Sequence, residues 1–260
     1  MGECDDNGYV TQGVPERMRI TKWYDRDSTD HWDKATVKRE LAEGQAFLHH
    51  DGHANTNYLM KFTTAEVHDS DFTEVNGVEN VNPLIYTHGC NCGGFDSPDC
   101  IGSRLVNSPV IAAGGVFNSR YGWFNEGTTD GPSVHLHREF MNAIYGLEIF
   151  PLGQVHMVSK LATAPWVTAE GQHEQNALRW NYYTNNVLGD PAMRIYSDVP
   201  QPVHVQYDLS GIAEHILRAT VSRGEAVPAA NAGIAVLDEA GDRIGSAVSG
   251  TGGIRGDPAQ

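Results

Sequence analysis

Two polar turns, each following directly on an apolar run, restrict the fold of this chain more than any other feature. The run at residues 45–50 leads into the turn 51–54, and the run at 83–88 leads into the turn 88–91. A third run, 109–116, is continuously apolar, which is typical of parallel strands covered on both faces. Because functional residues collect beyond the carboxyl ends of such strands, we predict an α/β sheet, mostly parallel and flanked by helices, with both turns at one edge.

Each turn carries a residue suited to nucleophilic catalysis. The first turn contains His53 and the second contains Cys90. A cysteine attacks a carbonyl as its thiolate, and a free thiol has a pKa of about 8.5, so a nearby imidazole is needed. Gly52 and Gly89 allow backbone N–H groups to approach a developing oxyanion. We therefore interpret His53 and Cys90 as the base and the nucleophile of a site that cleaves peptide bonds.

Length and charge exclude several classes of function. The chain has 260 residues, enough for one large core and a smaller module. Its formal net charge of −15 argues against nucleic acid or an anionic membrane as a partner, and favours cationic substrates in a general way. No apolar run approaches the roughly 18 residues of a membrane span, and residues 1–6 lack signal-peptide character.

The cysteines are too few for a disulfide scaffold in a chain of this size. There are four: Cys4, Cys90, Cys92 and Cys100. Cys92 and Cys100 either pair with each other or are buried thiols. Thiolates and imidazoles also suit zinc, which leaves a zinc site as an alternative function, built from His49, His53, His88, Cys90 and Cys92. The C-x-C spacing at residues 90–92 differs from the usual zinc patterns.

The Cys/His interpretation requires no cofactor and assigns no metal to the catalytic site. Carboxylate oxygens in the acidic loops are the ligands that calcium takes, so a structural calcium ion stays an open alternative.

Local patterns predict the remaining elements. Residues 18–24 alternate and are rich in β-formers, which predicts a strand that forms a βαβ unit with a helix at 33–43 and the run at 45–50. Further helices are predicted at 100–107, at 134–145 and between 170 and 184, and a closing strand at 192–196. A short strand or helix is predicted at 57–62.

Composition changes at residues 198–202, where two prolines interrupt the pattern. Beyond them, residues 204–209, 215–222 and 233–237 read as strands, and 238–242 reads as a hairpin turn. These few strands predict part of an immunoglobulin-like β-sandwich. The predicted domains are therefore 1–198 and 199–260.

Five motifs together resemble the gingipain family of cysteine peptidases, which shares a clan with caspases and legumain. In chain order they are FLHHDGHAN at 47–55, GCNCGGFD at 89–96, CIGS at 100–103, NSRYGW at 118–123 and LGDP at 188–191. The resemblance spans roughly residues 18–196. It implies a caspase-like sheet followed by an immunoglobulin-like domain, a polypeptide substrate, and a location outside the cell or at its surface.

The resemblance also implies roles for individual residues. His53 becomes the catalytic histidine and Cys90 the nucleophile, with the backbone N–H groups of Cys90 and Ala54 as oxyanion donors. The best-known members have glycine where this chain has Ala54. The implied walls of the substrate pocket are Asp51, His88, Tyr121 and Trp123, with Asp5 at its base. Acidic residues there would select Arg or Lys before the cleaved bond.

The family's catalytic domain has further strands, and an acidic residue near the catalytic histidine, upstream of the part that this chain resembles. We therefore expect the chain to correspond to part of a longer catalytic domain. A third interpretation follows, in which the chain is a non-catalytic, secreted surface module that keeps the fold without the activity.

Overall fold

The computed structural model arranges the first part of the chain around a four-stranded sheet. It describes residues 3–4, 10–25, 31–75, 80–127, 130–170, 174–198, 202–208, 217–224, 227–250 and 254–255. The helices are α1 (Lys34–Ala42), α2 (Ile101–Asn107), α3 (Pro132–Tyr145), α4 (Leu152–Thr163) and α5 (Ala177–Thr184). The strands are β1 (Glu3–Cys4), β2 (Val10–Thr11), β3 (Phe47–His50), β4 (Tyr58–Leu59), β5 (Phe62–Thr63), β6 (Leu84–Thr87), β7 (Gly114–Asn118), β8 (Asn185–Gly189), β9 (Val203–Asp208), β10 (Arg218–Arg223), β11 (Val227–Pro228), β12 (Gly233–Leu237), β13 (Arg243–Val248) and β14 (Ile254–Arg255).

The central sheet has the strand order β3-β6-β7-β8. The pairs β3–β6 and β6–β7 are parallel, whereas β8 runs antiparallel to β7. His50, the last residue of β3, lies opposite Thr87, the last residue of β6. The turns that follow β3 and β6 therefore leave the sheet side by side at its carboxyl edge, as the sequence predicts.

Helices cover both faces of this sheet. Ile85 and Phe117 belong to a core that includes Val37 and Leu41 of α1 and Ile101 of α2. The alternate strand residues Leu84, Tyr86 and Val116 belong to a second core on the other face. The helices contribute Phe140 and Ile144 from α3, and Leu152 and Val155 from α4. Because side chains alternate along a strand, continuous apolar runs supply both cores.

Local sequence explains where α1 and α3 begin. Asp33 caps α1, and its carboxylate accepts a hydrogen bond of 2.8 Å from the backbone N–H of Thr36. Pro132 opens α3, a position where its fixed φ and missing N–H are tolerated. Leu136, Phe140 and Ile144 lie on the buried face of α3, which confirms the predicted helix.

Two predicted strands are wrong. Residues 18–24 have no regular secondary structure, and Ile20 and Trp23 are about half exposed, so this alternating segment has no apolar layer to cover. The βαβ unit of the structure is instead β6-α2-β7. Residues 192–196 form only an isolated bridge between Pro151 and Arg194. The strand that closes the sheet is β8.

Other boundaries moved or were not predicted. The third apolar run becomes a strand only from Gly114, because residues 109–111 form a turn. Residues 57–63 form a small hairpin of β4 and β5. Helix α4 was missing from the sequence prediction. Among the described residues, no helix combines the length and the apolar character that crossing a bilayer requires.

The chain divides into two compact units, Met1–Asp198 and Val199–Gln260. In the described part of the second unit, β9, β11 and β14 pair with β10, and β12 pairs with β13. All of these pairings are antiparallel. The predicted hairpin turn at 238–242 connects β12 and β13.

Candidate active site

The two turns after β3 and β6 are tied together at their bases. The backbone N–H of His88 donates to the carbonyl oxygen of His50 over 3.0 Å. The His50 Nδ1 and the Thr87 hydroxyl share a hydrogen bond of 2.9 Å, and the same hydroxyl accepts from the N–H of Gly89 at 2.9 Å. These contacts fix where each turn starts relative to the other.

The turns touch directly between Ala54 and Gly89. A Cβ built at Gly89 would lie 2.4 Å from the Cβ of Ala54, closer than carbon atoms pack. Glycine at position 89 therefore permits the approach. His53 precedes one of these residues and Cys90 follows the other, so each predicted catalytic residue lies next to the contact. His53 is exposed, and Cys90 is half-buried.

The turn at Cys90 is also fixed from its other side. Asn91 adopts a left-handed φ of 56°, and its N–H donates to the carbonyl oxygen of Arg120 over 2.7 Å. The Cys90 Sγ lies 3.8 Å from the carbonyl oxygen of Gly122. Among the described residues, the backbone N–H groups of Cys90 and Ala54 donate to no protein acceptor. They have the capacity that oxyanion donors need.

A buried chain of amides holds the carbonyl groups before Cys90. The Asn118 Nδ2 donates to the carbonyl oxygens of His88 and Gly89 at 3.0 and 3.3 Å. Asn185 donates to the Asn118 Oδ1 at 3.0 Å, and the Tyr86 hydroxyl donates to Asn185 at 3.4 Å. Sequence reasoning did not select Asn118 or Asn185 for a role, although Asn118 opens the NSRYGW motif.

The predicted pocket residues have different environments. Tyr121 is exposed, whereas Trp123 is half-buried and pairs through its backbone with Ser133. Asp51 is exposed and His88 is buried, and the two share a hydrogen bond of 3.2 Å between Asp51 Oδ1 and His88 Nδ1. Asp5 lies outside the described residues.

Three histidines meet beneath the two turns. His49 of β3, His88 after β6 and His137 of α3 each bring one ring nitrogen into a group whose atoms lie within 4.8 Å of one another. Desolvation, with His88 nearby, lowers the pKa of His49 to about 3, although part of this residue is exposed. Burial also lowers the pKa of His137 well below its ordinary value. Sequence reasoning did not select His137.

The five residues of the zinc alternative do not come together. Within the described residues, the group of three potential ligands contains His49 and His88 from that set, together with His137. Cys92 is fully buried, and burial raises the pKa of its thiol to about 12. Cys92 and Cys100 are both free thiols, which answers the open question of their pairing.

A cavity of about 160 Å³ lies away from both turns. Ala46, Leu84 and Ala113, at the amino ends of the parallel strands, are among its lining residues. The chemistry-bearing side chains are at the opposite edge, so this cavity has no part in the candidate site.

Comparison with known proteins gives the family of the chain. A model of peptidase family C25 matches residues 4–196. The chain belongs to peptidase family C25. This confirms the resemblance to the gingipain family and covers the sheet, its helices and both turns. No curated protein sequence gives a significant match.

Solved gingipain structures share the fold of this C25 chain. The crystal structure of the Arg-specific cysteine proteinase gingipain R (RGPB) has a TM-score of 0.56 and 18% identity, covering 84% of this chain and 48% of that one. The complex of Porphyromonas gingivalis RgpB pro- and mature domains has a TM-score of 0.54 and 17% identity, covering 86% and 51%. A structure described as a protease has a TM-score of 0.51 and 15% identity, covering 85% and 50%. The chain spans about half the length of these proteins.

Proposed function

We propose that this chain carries the catalytic residues of a cysteine endopeptidase, with Cys90 as nucleophile and His53 as general acid and base. The observation that carries the proposal is the contact between Ala54 and Gly89, which sets the residue after His53 against the residue before Cys90. Family membership agrees with the same chemistry.

In the proposed reaction, the Cys90 thiolate attacks the carbonyl carbon of the scissile peptide bond. The oxyanion accepts hydrogen bonds from the N–H groups of Cys90 and Ala54, and each such donor contributes roughly 3 kcal/mol in enzymes where one has been removed. The C–N bond breaks while protonated His53 gives its proton to the leaving amine. Water then attacks the thioester, His53 takes the proton of that water, and the freed thiolate returns.

The proposed specificity is for a basic residue before the cleaved bond. Asp51 is exposed in the turn that carries His53, and its hydrogen bond with His88 lowers the pKa of the carboxyl group, which keeps it ionised near neutral pH. A carboxylate at this position attracts a cationic side chain. Tyr121 and Trp123 are proposed as further walls, and Asp5 as the base of the pocket.

We further propose that residues 199–260 form part of an immunoglobulin-like domain, on the support of their antiparallel strands and the family resemblance. The gingipain family consists of secreted or surface proteases, so the proposed location is outside the cell or at its surface, with polypeptides as substrates.

Active-site labelling tests the proposal. An arginyl acyloxymethyl ketone is expected to add once, at Cys90, as located by peptide mass mapping. The label should disappear in Cys90→Ala and slow by a factor of 100 or more in His53→Ala. His68→Ala, which removes another exposed histidine, is the matched control and should label at the normal rate.

Folded protein in which the ketone leaves Cys90 unmodified would contradict the proposal and favour the non-catalytic module. A lysyl ketone that reacts much faster than the arginyl one would leave the dyad standing and narrow the proposed specificity from basic residues to lysine.

A further inference from the structure

We propose that His49, His88 and His137 form a zinc site that links both catalytic turns to α3. The three ligands come from three separate elements: β3, the residue after β6, and α3. One ring nitrogen of each lies within 4.8 Å of the other two. This proposal concerns metal binding and does not depend on the proposed peptidase activity.

One pair of ligands already has the spacing that zinc requires. The Nε2 atoms of His49 and His88 are 3.2 Å apart. Two imidazole nitrogens at about 2.05 Å from a tetrahedral zinc ion lie about 3.3 Å apart, so this pair needs almost no movement. The ring nitrogen of His137 lies within 4.8 Å of the other two, so it must move by about 1.5 Å or less to reach the same spacing. The His137 ring stacks on His49 at 3.8 Å, so one of these rings must tilt to coordinate.

A carboxylate supports the cluster from outside. The Asp51 Oδ1 lies 3.2 Å from the Nδ1 of His88, the ring nitrogen that does not face His49. A carboxylate on the far nitrogen fixes the tautomer of a ligand histidine, leaves the near nitrogen unprotonated and raises its basicity. Asp51 and His88 thus make the carboxylate–histidine pair that zinc sites use.

His137 contributes an unsatisfied polar atom. Its Nε2 is buried and has no hydrogen-bond partner within the described structure. Buried polar atoms normally have a partner, because an unpaired one costs free energy. In the proposed site, a metal ion coordinated through this nitrogen supplies that partner.

The ligand set favours zinc over harder ions. A ligand set of three imidazoles suits zinc, copper or nickel, whereas calcium and magnesium take oxygen ligands. Zinc with three histidines keeps a fourth position for water. The ion would bind at the stems of the turns that carry His53 and Cys90, so its expected effect is to hold β3, β6 and α3 together.

Metal titration of the Cys90→Ala protein tests the site, because this background removes zinc binding by the candidate nucleophile. Zinc is expected to bind once per chain by calorimetry and by elemental analysis after gel filtration, and cobalt should give a visible d–d spectrum. Zinc at 100 times its Kd should raise Tm by roughly 5–10 °C.

Variants of the ligands and their support give the discriminating result. His49→Asn and His137→Asn should weaken zinc binding by a factor of 100 or more, and Asp51→Asn by a factor of about 10 to 100. His135→Asn, on the same helix but with its ring near Trp166, should bind zinc normally. Thermal melting in EDTA shows which variants fold without metal. Asp51 is exposed, so Asp51→Asn is expected to fold and tests the site even if a ligand variant fails to fold.

Zinc affinity that is unchanged in His49→Asn, His137→Asn and Asp51→Asn would overturn the proposal. So would the complete absence of zinc binding in the Cys90→Ala background when the unsubstituted chain binds it, because the ion would then belong to the thiol. If the ketone fails to label the unsubstituted chain while zinc binds normally, the proposed function is rejected and the metal site stands.

Discussion

Gly89 is the residue on which the geometry of the candidate site depends most. Its missing side chain lets the two turns approach, and its N–H and carbonyl are both held, by Thr87 and Asn118. The sequence indicated that a glycine beside the nucleophile allows a close backbone approach. It could not indicate which residue approaches, because that depends on the pairing of β3 with β6.

We predict that Gly89→Ala reduces the rate of ketone labelling by a factor of 100 or more. The new methyl group must displace Ala54, and overpacking of this kind destabilises the fold by about 1–3 kcal/mol. The double variant Gly89→Ala with Ala54→Gly should recover much of the rate, since the clashing Cβ is then gone. A double variant as slow as the single one would show that this contact does not govern the site.

Asn118, Asn185 and His137 illustrate what sequence reasoning missed at this scale. The two asparagines are buried, and they gain their role from carbonyl groups some 30 to 67 positions away in the chain. His137 belongs to a helix whose apolar spacing was visible, but its partners lie on β3 and directly after β6. None of these contacts leaves a local signal.

At the scale of single elements, predictions succeeded where an apolar pattern was long or ended in a clear signal. The buried face of α3 and the capped start of α1 are examples. The sequence predicted a strand at 109–116, whereas β7 spans Gly114–Asn118. The prediction missed its start because Gly114 and Gly115 have low β-propensity. A Cβ at Gly115 would lie 2.5 Å from the carbonyl oxygen of Ile85, so close packing against β6 requires glycine there. Packing overrode local propensity.

Helix α4 carries a histidine that makes stability depend on pH. His156 is half-buried against Asn185, and desolvation lowers its pKa to about 4. Between pH 6.5 and 4 the unfolded chain takes up a proton at this ring and the folded chain does not. The stability from the neutral ring is therefore present above pH 6.5 and is lost as the pH falls, at up to about 1.4 kcal/mol per pH unit.

We predict that His156→Gln flattens this dependence. The amide can still donate to the Asn185 carbonyl, but it takes up no proton. The measurement is urea unfolding at several pH values between about 4.5 and 6.5, in metal-free buffer. The free energy of unfolding of the variant should change less steeply with pH, by an amount that corresponds to roughly one proton. Parallel stability curves for the variant and the unsubstituted chain would contradict the assignment.

At the scale of the whole molecule, the parallel part of the sheet and the meeting of the two candidate turns at its carboxyl edge followed from the sequence. Continuous apolar runs indicated parallel strands, and parallel strands send their turns to one edge. The segment at 18–24 and the closing strand were beyond prediction, because β-formers become a strand only when a neighbouring strand and a covering layer exist. The formal net charge of −15 agrees with the proposed cationic substrate but does not identify it.

A crystal structure of the chain after reaction with an arginyl acyloxymethyl ketone tests the central claim most directly. We predict a covalent bond from the Cys90 sulfur to the inhibitor, with its carbonyl oxygen about 2.7–3.1 Å from the N–H groups of Cys90 and Ala54. The His53 ring should face the same carbonyl group. An adduct whose oxygen contacts neither N–H, or a His53 ring directed away from the sulfur, would contradict the account.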